Sequence, residues 1–226
     1  QNPVGLVSRD IREVFRIRGF LTGQLFGTIL DSTTLFFFLP VMFFFSPIMT
    51  LMVLAFGFSD IAAISMIPLY FVERGYSTNF AAFVVTMVAL PTAIAQPFVG
   101  WLLDRVSRPV VAVSGSLIAA LAFLALPLMT SQAGLLVAVS ILGAASFSLY
   151  TASLTLLGER FRGGLLVSGS AVFALSYAIG SAFGSGATGA TMDLVSIDAG
   201  PVFTGLLMLV FTFVFAVNLL GIRQRN

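Results

Sequence analysis

GWLLDRVSRP, residues 100–109, places one Asp and two Arg between two long apolar runs, in a chain of which only 9% of residues are charged. Crossing roughly 30 Å of hydrocarbon takes about 20 helical residues, and both flanking runs reach that length. An acid at the C-terminal end of such a helix opposes the helix dipole and needs a receiver. The stretch therefore reads as a tight polar turn between two membrane spans, and the rest of the chain repeats the pattern.

The composition allows little else. With 58% hydrophobic residues, 24 Phe in 226 residues and a mean hydropathy of +1.07, the chain carries more apolar surface than a soluble core of this size can bury. Six runs reach membrane length: Pro47 to Val72, Ala81 to Leu103, Val110 to Met129, Gly134 to Leu157, Leu165 to Thr191 and Val202 to Ile222. Polar breaks separate them: ERGYSTN at 73–79, DRVSR at 104–108, TSQ at 130–132, GERFRGG at 158–164 and DLVSIDAG at 193–200, with RQRN closing the chain. The expected fold is all-α, a polytopic membrane bundle of six transmembrane helices.

All 11 basic residues are Arg, and His and Cys are absent. Disulfides, Cys or His nucleophiles and Cys/His metal sites are thereby excluded, so no enzyme, cofactor or metal is expected. If the chain crosses at every run, Arg105, Arg108, Arg160, Arg162, Arg223 and Arg225 fall on one side with Arg9, Arg12, Arg16 and Arg18, against Arg74 alone on the other. The positive-inside rule makes the first side cytoplasmic, with both termini there. That rule also accounts for the net charge of +2 without nucleic acid as a partner.

Residues 1–46 read as a separate segment ahead of a six-span domain at 47–226. Leu6 to Arg18 has Val7, Ile11, Val14 and Phe15 on one face and an Arg9/Glu13 i,i+4 pair, which suits a helix lying along the headgroups. The apolar stretch 19–45 is interrupted at its centre by Asp31, Ser32, Thr33 and Thr34, and a full crossing there would place four Arg outside. An interfacial or re-entrant element is the expectation, with a seventh span as the alternative. Asp31 reads as a turn or N-cap residue and is left out of the site. The Phe clusters at 36–38 and 43–45 suit lipid-facing anchors.

Asp60 is the sharpest candidate for function, since it lies near the middle of the first run, in FGFSDIAAISM. An acid at that depth is expensive, and it would bind a cationic group, carry a proton, pair with an Arg from elsewhere, or accept hydrogen bonds structurally. Gln96, Tyr150, Tyr177 and Asn218 are weaker candidates of the same kind for substrate or ion coupling, because single polar residues often serve helix-to-helix hydrogen bonds. For Asp104, the receivers within reach are Arg105, Arg108, Arg160, Arg162 and the helix start near Gly164. In the fifth run, YAIGSAFGSGATG at 177–189 spaces small residues by four, so Gly180, Gly184 and Gly189 mark a helix that packs closely on a neighbour. GSAFGSG lies inside this run and is no phosphate loop.

Two of these motifs resemble those of the major facilitator superfamily of secondary transporters. Its signature loop reads roughly G-x-x-x-D-R-x-G-R-R/K; Gly100, Asp104, Arg105 and Arg108 match, while Ser107 and Pro109 depart from it. Its glycine-rich penultimate helix reads G-x-x-x-G-P-x-x-x-G; Gly180, Gly184 and Gly189 match, with Ser185 in place of Pro. The resemblance covers about residues 46–222 and implies one six-helix half of a transporter. The degenerate loop, the amphipathic lead-in, the missing initiator Met and the basic end together point to the C-terminal half. It further implies that Asp104, Arg105, Arg108, Arg160 and Arg162 act as a conformational latch, that membrane lipid, a small-molecule or ion substrate and an N-terminal half or second copy are the partners, and that an ion gradient supplies the energy. A non-transporting scaffold or assembly subunit that uses the glycine-rich helix for contacts is the competing class, and a lipid-handling protein is a third.

Overall fold

A computed structural model describes residues 47–223, the side chains of residues 160, 168, 222 and 223 aside. The amphipathic lead-in, the re-entrant element or seventh span, Asp31, the Phe clusters and Arg225 lie outside the described residues. Within them every regular element is helical. Six helices are long and apolar enough to cross a membrane.

The first span is built of three pieces: α1 (Pro47–Ile61), a π-helical turn (Ala62–Met66) and α2 (Ile67–Glu73). The others are α3 (Thr78–Arg105), α4 (Arg108–Ala125) prolonged by a 3-10 turn at Leu126–Leu128, α5 (Gln132–Arg160), α6 (Gly164–Leu194) and α7 (Ala199–Arg223). The helices begin slightly earlier than the apolar runs because serines cap them. The Ser77 hydroxyl accepts from the Phe80 N–H at 3.2 Å, and Ser131 accepts from Gly134 N–H at the same distance. Ser107 occupies the N-cap position of α4 in extended backbone, with a proline in its first turn, where the missing N–H costs nothing. Gly75, at φ +87°, makes the reversal between the first two spans, a conformation that a Cβ would strain.

The spans pack in a pattern that repeats. The first span lies along α6, the fifth, and the second, α3, lies along α5, the fourth; exchanging spans one to three with four to six maps one pair onto the other. The third and sixth spans, α4 and α7, pack on each other and map onto themselves. This is the layout of two inverted three-helix repeats. With no hydrophobic drive between helices in lipid, close approach must supply the association, and glycines permit it at matching places. A Cβ at Gly57 of α1 would lie 2.5 Å from the Tyr177 carbonyl oxygen of α6, and one at Gly143 of α5 would lie 2.4 Å from the Val88 carbonyl oxygen of α3. Leucine, phenylalanine and valine cover the outer faces, with Phe98, Phe183 and Phe213 each 69% exposed, as lipid-facing residues are.

Candidate functional site

Three helices converge on Asp60. It sits half-buried at the end of α1, and Tyr177 of α6 donates its hydroxyl to Asp60 Oδ2 at 2.8 Å. The glycines explain why those two residues meet. A Cβ at Gly180 would fall 2.4 Å from the Leu54 carbonyl oxygen, and one at Gly184 would fall 2.6 Å from the Phe58 carbonyl oxygen, so the α1 and α6 backbones lie in direct contact just before Asp60 on the one helix and just after Tyr177 on the other. Gly189 differs, since its Cβ position meets only the Met66 sulfur at 3.6 Å, an ordinary contact. Ser181 donates to the Gly57 carbonyl at 3.4 Å and adds a polar link across the same seam.

Beside the carboxylate lies a cavity of about 440 Å³ lined by Phe56 and Asp60 of α1, Phe147 and Tyr150 of α5, and Phe173, Ala174 and Tyr177 of α6. Its rings touch one another: Phe56 stands 5.3 Å from Phe147, 5.2 Å from Tyr150 and 5.4 Å from Tyr177, and Tyr150 stands 5.4 Å from Phe173. This is a concave, mostly apolar chamber with one acid, of the size that takes small ligands. It joins three of the five mid-span candidates, Asp60, Tyr150 and Tyr177. Gln96 on α3 is half-buried and Asn218 on α7 exposed, and neither lines the chamber.

Among the described residues the other charges collect at the two ends of the bundle. At the end that carries residues 104–108 and 158–162, Arg108 of α4 donates to Glu159 of α5 and forms an ion pair with it. Each of the two is badly placed on its own helix, a cation in a first turn and an anion in a last turn, so pairing relieves both. Asp104 is exposed and makes no ion pair among the described residues, as is Arg162. Arg105 lies over the Trp101 ring with its guanidinium carbon 4.3 Å from the centroid. Of the side chain of Arg160 nothing is described.

At the opposite end Arg74 joins three spans. Its Nη1 donates to the Tyr70 hydroxyl at 2.7 Å and to the Leu126 carbonyl at 3.3 Å, its Nη2 donates to the Pro127 carbonyl at 3.5 Å, and its Nε stands 3.9 Å from Asp198 Oδ1. Tyr70 in turn donates to Asp198 at 2.9 Å. Arg74 thus serves as a cap for carbonyls at the end of the third span. Sequence reading singled out neither Glu159 nor this cluster. Glu159 lies inside a break that reads as basic, and Arg74 and Asp198 are 124 positions apart in breaks that read as ordinary loops.

No group of three or more metal-ligating side chains occurs among the described residues. A family model described as Major Facilitator Superfamily matches residues 48–225, more than half of the chain. No curated protein matches it.

Proposed function

Because the chain belongs to the major facilitator superfamily, whose members are secondary transporters and not enzymes, we propose that it supplies one half of a pathway that moves a small solute by alternating access. As an integral, multi-pass membrane protein of six spans, it corresponds to one half of that fold. Residues 47–226 are the half-domain and residues 1–46 its lead-in, with both termini cytoplasmic. An N-terminal half or a second copy closes the other wall. An ion gradient drives the cycle, and Asp60, Tyr150 and Tyr177 form this half's share of the solute site.

The observation that carries the reading is the mid-span chamber of about 440 Å³, where the first, fourth and fifth spans bring a single acid to an otherwise aromatic wall. Substrate sites of inverted-repeat transporters lie at that depth. The latch would then run through Arg108 and its receiver Glu159. Asp104, Arg105, Arg160 and Arg162 stand at the same end of the bundle.

Ala174 is exposed and lines the chamber, and the chain has no cysteine of its own. A single cysteine at Ala174 therefore tests the reading with an impermeant thiol reagent in sealed vesicles of each orientation. Alternating access requires labelling from both faces, each slowed by conditions that favour the opposite state. A scaffold subunit would leave the position unlabelled from at least one face under every condition.

A further inference from the structure

We propose that the aromatic chamber selects a monovalent organic cation with an apolar body, an alkyl- or aryl-ammonium, an assignment that rests on the transport reading for its biological use. Asp60 receives one hydrogen bond, from Tyr177 to Oδ2, and no arginine pairs with it among the described residues. Among the described residues no other hydrogen bond reaches Asp60, and the residue lines the chamber. A carboxylate at mid-span without a cationic partner is a charge waiting for one.

The walls decide which kind of cation. Phe56, Phe147, Tyr150, Phe173 and Tyr177 line the chamber together with Asp60, with Phe147 and Tyr150 at 4.8 Å between centroids. Ring faces carry negative quadrupole charge, so they attract a diffuse cation and repel an anion that Asp60 repels as well. A small inorganic ion gains little here, because it exchanges a hydration shell for several oxygen ligands and this chamber offers one carboxylate and two phenols. A neutral solute would leave Asp60 uncompensated. An ammonium carried on an alkyl or aryl body meets all three features: Coulomb attraction from Asp60, cation–π contact with the rings, and apolar burial in about 440 Å³.

The probe is radiolabelled phenyltrimethylammonium, with the protein in phosphatidylcholine nanodiscs and protein-free nanodiscs as baseline. Binding is expected to be saturable. Unlabelled tert-butylbenzene, its neutral isostere, should compete at least about tenfold more weakly, and benzenesulfonate, its anionic analogue, not at all, since the lost terms are the charge pairing and the cation–π contacts. Asp60→Asn should weaken binding by about tenfold or more and Phe147→Leu by about threefold, the latter by removing one ring face. The competition series needs no substitution, so a variant that misfolds leaves the test intact. Absence of saturable binding, or equal competition by benzenesulfonate, overturns the proposal. Cation binding without two-sided labelling at Ala174 upholds the site and overturns transport; two-sided labelling without cation binding does the reverse.

Discussion

Replacing Gly180 by Ala adds one methyl group where the first and fifth spans touch. Its carbon would lie 2.4 Å from the Leu54 carbonyl oxygen and 3.1 Å from the Leu54 carbonyl and α carbons, whereas ordinary contact is 3.4–4 Å. All three neighbours are backbone, so no side chain can swing away, and the helices must separate locally by about 1 Å. Overpacking of that kind costs about 1–3 kcal/mol, set against about 0.5–1 kcal/mol that Ala gains over Gly in a helix interior. A similar displacement would stretch the 2.8 Å Tyr177–Asp60 bond past hydrogen-bonding distance. Gly186, six residues further along the same helix, has nothing within 4 Å of its Cβ position, and Gly189 meets only Met66 at 3.6 Å. Ala at either of these should be neutral or slightly stabilising. Thermal unfolding of the three variants in one detergent therefore separates close approach from mere glycine content. Equal shifts for Gly180→Ala and Gly186→Ala would refute the reasoning.

Arg108→Gln or Glu159→Gln removes a half-exposed ion pair worth about 1 kcal/mol or less, so each should change the two-sided labelling ratio of a cysteine at Ala174 by no more than about fivefold. The charge-swapped double variant should restore it partly, and failure of both singles to move the ratio would remove this pair from the latch. Arg74→Ala removes the donor to the Tyr70 hydroxyl and to the Leu126 and Pro127 carbonyls and takes the cation away from Asp198, a loss of about 1–3 kcal/mol in unfolding measurements. Arg74→Lys should recover only part of it, since an ammonium cannot reproduce the guanidinium fork; full recovery would mean that charge alone matters. Deleting Ser65 should convert the π turn to α-helix and leave α2 facing as it does, because the residue removed is the one the turn takes in; a deletion outside the turn, at Leu69, should instead rotate the rest of α2 by about 100°. A bifunctional thiol reagent should bridge a Tyr70→Cys/Asp198→Cys pair equally in the parent chain and in the Ser65 deletion, and loss of the bridge in that deletion would refute it.

The six spans were legible because length and hydropathy are local properties of the chain, and the described helices from Pro47 to Arg223 contain all six runs but for Met129, which ends the third in extended backbone. Asp60 stood out for the same reason, as a lone charge in a long apolar stretch. What encloses it did not. Tyr177 is 117 positions away, and Phe147 and Phe173 look like any other lipid-facing Phe until the packing of the fourth and fifth spans turns them inward. The glycine spacing disclosed a tight helix but not its partner, and it gave no warning that Gly57 and Gly143, isolated in their runs, lie just as close to neighbouring backbone. Hydropathy records how much of a helix avoids water. In a membrane every span does so, and the choice of neighbour rests on small residues and a few hydrogen bonds whose partners sequence distance hides.

The π turn at Ala62–Met66 shows how one helix serves both the chamber and the far end of the bundle. Along α1 the positions against the α6 glycines are Leu54, Phe58 and Ile61, steps of four and three, with Gly57 on the same face. An unbroken α-helix would next present Ser65, yet Ser65 is exposed and it is Met66 that meets Gly189. The offset is one residue, the amount that a single π turn takes in. It persists beyond the turn. Leu69 is 45% exposed while Tyr70 is fully buried, aimed with Arg74 at Asp198 and the end of the third span. Were the helix regular, the face that holds Asp60 beside the chamber would also dictate where Tyr70 and Arg74 point, and the cluster at the far end could not form with the same residues. The extra residue uncouples the two faces. That places the irregularity two residues past Asp60, where a change in the turn would move α2 and its Arg74 contacts while the glycine seam keeps Asp60 against Tyr177.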